Sequence, residues 1–385
     1  MRNGFKRPLF VFIVLVLFIA LFLYSGSKPR LKLPTGTGPA MVALGDSHGV
    51  VLASDGSLWV WGEEDSGWPA LGLGSVRNQA RLRRLSTDTN WVDVAAGGSH
   101  TLGLKNDGTI WAWGENLNWQ LGDGTRIARS TPVRSVAGND WKQVATGLHC
   151  LALKKDGTLW AWGNNWPGVL GNGSTSNSTV PVQVGSSTNW IKAWANNIES
   201  VGLQSDGSLW FWGQMLLQFG PKGTNILVPT RLSPDTNWVD VGLGDFMGFA
   251  IKSDGTLWAW GADADIYTVA PDPRLNATPL QVGTNHDWRA CAPFWNSCTL
   301  LMKQDGTLWA LDDVLDQRGQ RLGVALTRDG EVWTWGWALG HQRPGAAFVQ
   351  SISQLLNRAG IRNRWGQGQP DPVKHHDPWQ LPNVP

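Results

Sequence analysis

Seven Asp-Gly dipeptides, led by Asp55, Asp107, Asp156, Asp206, Asp254, Asp305 and Asp329, each stand just before a tryptophan-bearing segment. Their spacings are 52, 49, 50, 48, 51 and 24 residues, so a unit of about fifty residues recurs with one shortened step. A period of this length belongs to propellers, solenoids and repeat arrays, whose units bury their apolar faces against one another. The surroundings repeat in register: Ser57-Leu-Trp-Val-Trp-Gly62, Thr109-Ile-Trp-Ala-Trp-Gly114, Thr158-Leu-Trp-Ala-Trp-Gly163, Ser208-Leu-Trp-Phe-Trp-Gly213 and Thr256-Leu-Trp-Ala-Trp-Gly261. A further tryptophan lies 15 to 17 residues ahead of five of the Asp residues, at Trp91, Trp141, Trp190, Trp238 and Trp288. These positions absorb 18 of the 26 tryptophans, which is why Trp outnumbers Phe (11) and Tyr (2).

Each unit reads as four short strands. An apolar segment such as His100-Thr-Leu-Gly-Leu104 meets Asp-Gly, whose glycine accepts the positive φ of a tight hairpin, and returns as Trp-x-Trp. Two tryptophans two residues apart face one side of a strand, and each indole buries roughly 150 to 250 Å² between sheets. A Pro-x-x-Val type strand follows at Pro132, Pro181, Pro229 and Pro279, and the next Trp-led strand begins nine residues after each proline. Four-stranded sheets repeated radially are propeller blades. The expected fold is all-β: a β-propeller of about seven four-stranded blades, one abbreviated, preceded by one N-terminal hydrophobic helix.

The pattern Gly-x-x-His-x-x-x-Leu-x-x-Asp-Gly-x-Leu/Ile-Trp-x-Trp-Gly followed by Gln-Leu-Gly-x-Gly runs in full from Gly97 to Gly124. It resembles the regulator of chromosome condensation repeat, in its Trp-rich bacterial branch. The resemblance covers about residues 41 to 336 and implies a propeller of about seven blades. The sixth unit departs by placing Leu311 where the second Trp belongs, and the fourth by reducing Gln-Leu-Gly to Gln218-Phe-Gly220. Two strands' worth of sequence is missing between Asp305 and Asp329, which keeps six full blades with one vestigial blade open as an alternative.

At the N-terminus Arg2, Lys6 and Arg7 precede an unbroken apolar run from Pro8 to Tyr24. Seventeen residues lie at the border between a secretory core of about 7 to 15 and a spanning helix of about 17 to 25. Leu, Phe, Val and Ile fill the run nearly to its end, as in an uncleaved anchor; Ser25 and Ser27 in the small positions keep a cleaved signal as the alternative. In both cases the positive flank stays cytoplasmic. The expected organisation is a signal-anchor or signal peptide over 1–27, a Pro- and Gly-bearing linker over 28–40 and a propeller over 41–385. The expected setting is a bacterial inner membrane crossed once, with the propeller in the periplasm or outside the cell, or secretion after cleavage.

Beyond Trp337, Phe348, Ile352, Leu355 and Leu356 form an apolar helical stripe that Gly360 ends, predicting a helical insertion near 346–359. Pro372-Val373 and Trp379 repeat the outer-strand signature, so the C-terminal segment is expected to close the ring against the first strand near Val42.

The chain carries little that points to chemistry. A net charge of +2 gives no broad basic field for nucleic acid. Seven residues before each repeated Asp stand His48, His100, His149, Glu199, Met247, Cys298 and Leu322. A ligand set would not drift to Met and Leu, so the histidines read as structural, a role the resemblance also implies, and no metal or cofactor is expected. His375 and His376 read as a solvated tail. Cys291 and Cys298 would be able to pair as a disulfide in an oxidising compartment, while Cys150 reads as a core thiol. Glu63, Glu64 and Glu115 follow Trp-Gly in the first two units and read as a charged rim, with carboxylate-pair glycoside hydrolysis as the competing use.

The more suggestive residues are the loop tryptophans Trp68, Trp119 and Trp166, with Asn116, Asn118, Asn164 and Asn165 beside them. Aromatics mixed with amides are common on recognition surfaces. The expected function is therefore non-enzymatic: an extracytoplasmic, membrane-tethered propeller engaging a protein partner through loops of one face. A glycan is a possible partner, and nucleic acid is not expected. The resemblance implies two further points. The family's eukaryotic founders are exchange factors for a small GTPase, a partner not expected outside the cytoplasm, and a secreted relative inhibits β-lactamases. A β-lactamase-inhibitor-like protein and a cell-wall glycan binder or hydrolase are the alternatives.

Overall fold

The computed structural model describes residues 33–62, 67–74, 78–215, 224–244, 247–261, 278–293, 298–304, 308–312, 323–326, 332–335 and 379–380. Among the described residues the regular structure is strand throughout, in an all-β propeller. Blade 1 is β1 (Met41–Leu44), β2 (His48–Leu52), β3 (Leu58–Gly62) and β4 (Gln79–Arg84). Blade 2 is β5 (Trp91–Ala96), β6 (His100–Lys105), β7 (Ile110–Gly114) and β8 (Arg129–Arg134). Blade 3 is β9 (Trp141–Thr146), β10 (His149–Lys154), β11 (Leu159–Gly163) and β12 (Ser178–Gln183). Blade 4 is β13 (Trp190–Ala195), β14 (Glu199–Gln204), β15 (Leu209–Met215) and β16 (Thr224–Arg231), and blade 5 is β17 (Trp238–Leu243), β18 (Met247–Lys252), β19 (Leu257–Gly261) and β20 (Leu280–Val282). In these five, four consecutive strands form one antiparallel sheet.

The next units are less regular. β21 (Trp288–Pro293), β22 (Cys298–Lys303) and β23 (Leu308–Asp312) form a sheet, and β24 (Gly323–Leu326) with β25 (Val332–Trp335) forms a separate hairpin. The sheet of β21 to β23 gains its fourth strand from β26 (Trp379–Gln380), which pairs with β23 through Ala310 and Trp379. This corrects the expected closure at Val42: the C-terminal strand does serve as an outer strand, but of the sixth sheet. β24 also lies against β1, beside β2 and β5. Second strands elsewhere pack on the first strand of the next blade in the same way, β2 on β5, β6 on β9, β10 on β13 and β18 on β21. The apolar run of residues 8–24 and the helix expected near 346–359 lie outside the described residues.

The motif Asp-Gly-Ser/Thr-x-Trp is a chain of local hydrogen bonds. Asp107 Oδ1 accepts the Thr109 N–H at 2.9 Å and the Thr109 hydroxyl at 2.7 Å, while Thr109 Oγ1 accepts the Trp111 indole N–H at 3.0 Å. The same three bonds recur after Asp55, Asp156, Asp206 and Asp254. Glycine is required next to each of these aspartates for two reasons. Gly56, Gly108, Gly157, Gly207 and Gly255 have φ between 77° and 83°, a region costly for other residues. An added Cβ would also overlap the carbonyl oxygen of Thr89, Asn139, Thr188, Thr236 or His286 in the connection to the following blade. The turn then holds that blade directly, since the carbonyls of Gly56, Gly108, Gly157, Gly207 and Gly255 accept the N–H of Trp91, Trp141, Trp190, Trp238 and Trp288.

Between blades an aliphatic face meets a tryptophan face. Leu102, Leu104, Ile110 and Ala112 of blade 2 pack on Trp141 and Trp162 of blade 3, and Val201, Leu203, Leu209 and Phe211 of blade 4 pack on Trp238 and Trp260 of blade 5. Within blade 2, Trp91 meets Trp111 and Trp113 edge-on, with ring centroids 6.5 and 6.3 Å apart. Each buried indole contributes roughly 4 to 6 kcal/mol of transfer free energy before ordering costs.

Candidate functional site

The antiparallel order places chain connections at two faces. His48 pairs with Gly62 and Leu52 with Leu58, so the Asp-Gly turn lies at one end of each blade and the loop after Trp-x-Trp-Gly at the other. The turns bond from blade to blade, so all lie on one face, here the turn face; the opposite side is the loop face.

The loop face has a shared frame. The Trp113 indole N–H donates to the Ala70 carbonyl of blade 1 at 2.9 Å, Trp162 to Gln120 of blade 2 at 3.1 Å and Trp212 to Val169 of blade 3 at 2.7 Å. The repeated histidines join this frame. His48 Nε2 lies 2.8 Å from Thr101 Oγ1, His100 Nε2 2.6 Å from Thr146 Oγ1 and His149 Nε2 2.7 Å from Ser200 Oγ, each hydroxyl belonging to the following blade. The Thr146 and Ser200 hydroxyls donate onward to the carbonyls of His149 and Val169, so the rings of His100 and His149 are the donors at Nε2. Burial holds the three neutral, lowering His48 to about 4 and His100 and His149 to about 3, with a neighbouring His48 or His100 adding to the shift in the last two. Among the described residues no three His, Cys, Asp or Glu gather as a metal site.

Two residues expected to face a partner are instead keystones of their loops. Asn116 is fully buried: its Oδ1 accepts the Leu121 N–H at 3.0 Å, and its Nδ2 donates to Asp123 Oδ1 and to the carbonyls of Thr125 and Ile127. Asn165 repeats this in blade 3, accepting from Leu170 N and donating to Asn172 Oδ1 and the carbonyls of Ser174 and Ser176. An amide is the one uncharged side chain that offers an acceptor and two donors, and here these are spent inside the loop. Glu115 is half-buried, its carboxyl pushed up by burial with the Gln120 side chain bonded to it. Glu63 and Glu64 lie outside the described residues.

The three tryptophans share the loop face but not an equivalent place. Trp68 stands three residues before Leu71, Trp119 two before Leu121 and Trp166 four before Leu170. Trp68 is half-buried. Trp119 is half-buried beneath the Arg126 guanidinium, 4.8 Å from the ring centroid, and has φ of 60°. A bulky residue at positive φ is strained, and such strain clusters at functional sites. Trp166 is 62% exposed, its N–H bonded to Asn164 Oδ1 at 2.7 Å. The structure also exposes apolar residues that the sequence reading missed: Leu117 at 41%, Ile127 at 61% and Leu148 at 42%. Arg126 Nε donates to the Leu117 carbonyl, and Asn177 Nδ2 bridges to Asn118 Oδ1, joining the loops of blades 2 and 3. Leu117 had a signal, an apolar residue between two asparagines in a polar loop.

The central channel offers about 230 Å³. Among the described residues its lining is mostly Ala, Val and Leu, with Trp194 and the polar residues Gln143, Thr146 and Asn196. Gln143 is bonded to the backbone of Ala193, Thr146 to the His149 carbonyl, and Asn196 to Glu199 and the Gly244 carbonyl.

Of the expected pair Cys291 and Cys298 the structure describes one side chain: Cys291 sits opposite Leu301 and is a free, buried thiol, while the side chain of Cys298 lies outside the described residues. Burial pushes the Cys291 thiol up, and pushes Cys150 to about 12, far from the reactive range.

Comparison with known proteins agrees with the motif. The chain carries Regulator of chromosome condensation (RCC1) repeats, matched over residues 42–67, 91–118 and 142–165 by one form of the repeat and 55–104, 107–153 and 156–195 by another. The human E3 ubiquitin-protein ligase HERC2 is 33% identical over 124 residues, which is 31% of this chain and 2% of HERC2. The chain thus spans a small fraction of that relative's length. Among solved structures, human WBSCR16 superposes with a TM-score of 0.57 at 24% identity, covering 66% of this chain and 70% of its own. Prp20p of Saccharomyces cerevisiae, described with its binding to Gsp1p and histones, gives 0.61 at 17% identity, covering 82% and 85%. At these identities the likeness is one of fold.

Proposed function

We propose that this chain is a non-enzymatic binding scaffold that engages a protein partner through the loop face of blades 2 and 3, held outside the cytoplasm by its N-terminal segment. The observation that carries the reading is the exposure of Leu117, Ile127 and Trp166 on the loops of blades 2 and 3, which the Asn177–Asn118 bond joins, together with the strained Trp119 under Arg126. Apolar exposure on a loop surface is where interaction sites are found, and Trp and Arg dominate interface energies. A protein partner is favoured over a glycan because Asn116 and Asn165 have no amide left to offer. The placement of β24 against β1 supports a ring of seven positions, the seventh abbreviated to a hairpin.

Protein binding is what Prp20p is described for. Here, however, a small GTPase is set aside only by the exported setting, which rests on the charged flank and the apolar run. A reporter fused after Ala40 tests that setting: activity only when exported supports it, and cytoplasmic activity overturns it and restores a GTPase as a candidate. The binding reading is tested by the triple variant Leu117→Ser, Ile127→Ser and Trp166→Ala. At least tenfold weaker capture of the partner, about 1.4 kcal/mol, at unchanged melting temperature is the expected result. Unchanged capture would remove this face from the account.

A further inference from the structure

We infer that the loop face takes a segment of its protein partner in which a carboxylate is flanked by apolar residues, and that the Arg126 guanidinium receives the carboxylate; this rests on the loop face being the partner surface.

The first support is that Arg126 is held in place and left without an acid. Its Nε donates to the Leu117 carbonyl at 2.7 Å and its guanidinium lies 4.8 Å from the Trp119 ring centroid, yet the residue is exposed. These contacts fix the guanidinium and spend one of its five donors, leaving the four N–H groups of Nη1 and Nη2 for a ligand. No ion pair among the described residues includes it: Asp123 pairs with Arg129 at 2.6 Å, and Glu115 is bonded to the Gln120 side chain. A planar fork matches a carboxylate through two parallel bonds, and fixing it beforehand lowers the ordering cost of binding.

The second support is that indole and guanidinium occur as a pair. In the turn of blade 2 the Trp119 N–H donates to the Asn116 carbonyl, and the Trp119 carbonyl accepts from Gly122 N–H. In blade 3 Gly168 makes the same two bonds, with Asn165 and Gly171, and also has a positive φ, 106°. The turn therefore suits glycine, and at φ of 60° Trp119 occupies it against its own backbone preference. Counted from Leu-Gly in each loop, the place of Trp119 is taken by Gly168 in blade 3 and Pro69 in blade 1, and the place of Arg126 by Thr175 and Val76. Where the ring is absent the cation is absent too. The strain in Trp119 thus serves the cation rather than the turn, a use of strain found at binding sites.

The surroundings select the occupant. Ile127 follows Arg126 in the chain and is 61% exposed, and Leu117, whose carbonyl holds Arg126, is 41% exposed, so apolar groups border the fork. One isolated cation suits a protein carboxylate, whereas nucleic-acid phosphates draw on several cations at once. Residues 115–129 set Glu115 and Asp123 against Arg126 and Arg129.

The test pans a phage-displayed library of random linear peptides on the full chain in detergent and measures the selected peptides against variants by fluorescence polarisation. Peptides that join Asp or Glu to apolar residues are expected. Arg126→Gln, and Arg126→Lys, which keeps the charge but not the fork, should bind them at least about tenfold more weakly, and changing the peptide's acid to its amide should remove that dependence. Trp119→Gly, the blade 3 solution, should leave the melting temperature unchanged or higher while weakening the peptide several-fold. A fall in melting temperature at unchanged binding would make Trp119 structural and overturn the proposal. Peptides indifferent to Arg126 but lost from the triple variant Leu117→Ser, Ile127→Ser and Trp166→Ala overturn the carboxylate and leave the loop-face reading standing. Peptides indifferent to both sets overturn the proposal and that reading together, and a library that yields no binder overturns the proposal. Arg126-dependent binding of a labelled single-stranded DNA, tighter than that of any selected peptide, would assign the fork to phosphate and overturn it as well.

Discussion

The two faces of this propeller are built on opposite principles. At the turn face five blades repeat the same Asp, hydroxyl and indole chain with nearly the same φ at glycine, and each turn grips the next blade. At the loop face the frame repeats, in the buried indole that reaches a carbonyl of the preceding blade, but what the frame carries does not: Trp68, Trp119 and Trp166 stand at three different distances from their Leu-Gly. Repetition marks the work of holding a ring together, and variation on a fixed frame marks a surface free to specialise.

The largest effect expected from the framework is with pH. An unfolded histidine binds a proton below about 6.5, whereas native His48 waits until about 4 and His100 and His149 until about 3. The native state therefore binds fewer protons in that window, and stability falls as pH drops through it. Asp93 works the other way. Burial raises it to about 6 against the bonds from Val144 and Val94, so between about 6 and 4 the native carboxyl takes up a proton that the unfolded chain does not, and acid relieves the strain of burying it. Burial raises Glu115 and Asp240 as well, so the three histidines are partly offset and stability falls by less than about 3 kcal/mol per pH unit on acidification. Urea midpoints between pH 7 and 5 should fall, and His149→Gln should flatten the slope by half or more.

Next in size is a turn glycine. Gly157→Val meets both the positive φ and the Thr188 carbonyl, and a loss of about 3 kcal/mol or more is expected in urea unfolding. Its counterpart on the loop face, Gly124→Ala, has the same sign of φ but open space around it, and should cost only about 1 to 2 kcal/mol. Equal losses at the two sites would break the contrast between the faces. Asn165→Ala follows at about 2 kcal/mol, because the Leu170 N–H and the carbonyls of Ser174 and Ser176 lose their partner. Hydrogen exchange should rise across residues 164–177 and not in β10. Trp162→Phe removes the bond to the Gln120 carbonyl together with part of a fully buried indole and should cost about 2 kcal/mol.

Much of this was legible in the sequence because the framework is local. Asp, Gly, Thr and Trp within five residues form one bonded unit, so their repetition gave the blades, their order and the structural histidines. The loop face was harder to read. Asn116 and Asn165 look like surface amides, yet each stands five residues before the leucine of Leu-Gly, a fixed spacing that marks framework, while the uneven spacing of the tryptophans marks freedom. The closing strand carried the outer-strand signature, but a signature shared by every blade does not say which sheet a short segment will join.

The smallest expected effect on stability and the largest on function meet at one place. Trp166→Ala should change unfolding free energy by less than about 0.5 kcal/mol, as surface substitutions do. The most direct measurement is photocrosslinking in intact cells with a benzophenone amino acid at Leu117, Ile127 or Lys155 of the full chain. The account predicts a specific adduct from 117 and 127 that disappears with Trp166→Ala, and no protein adduct from 155. An adduct from 155 alone, or loop-face adducts indifferent to Trp166, would contradict it.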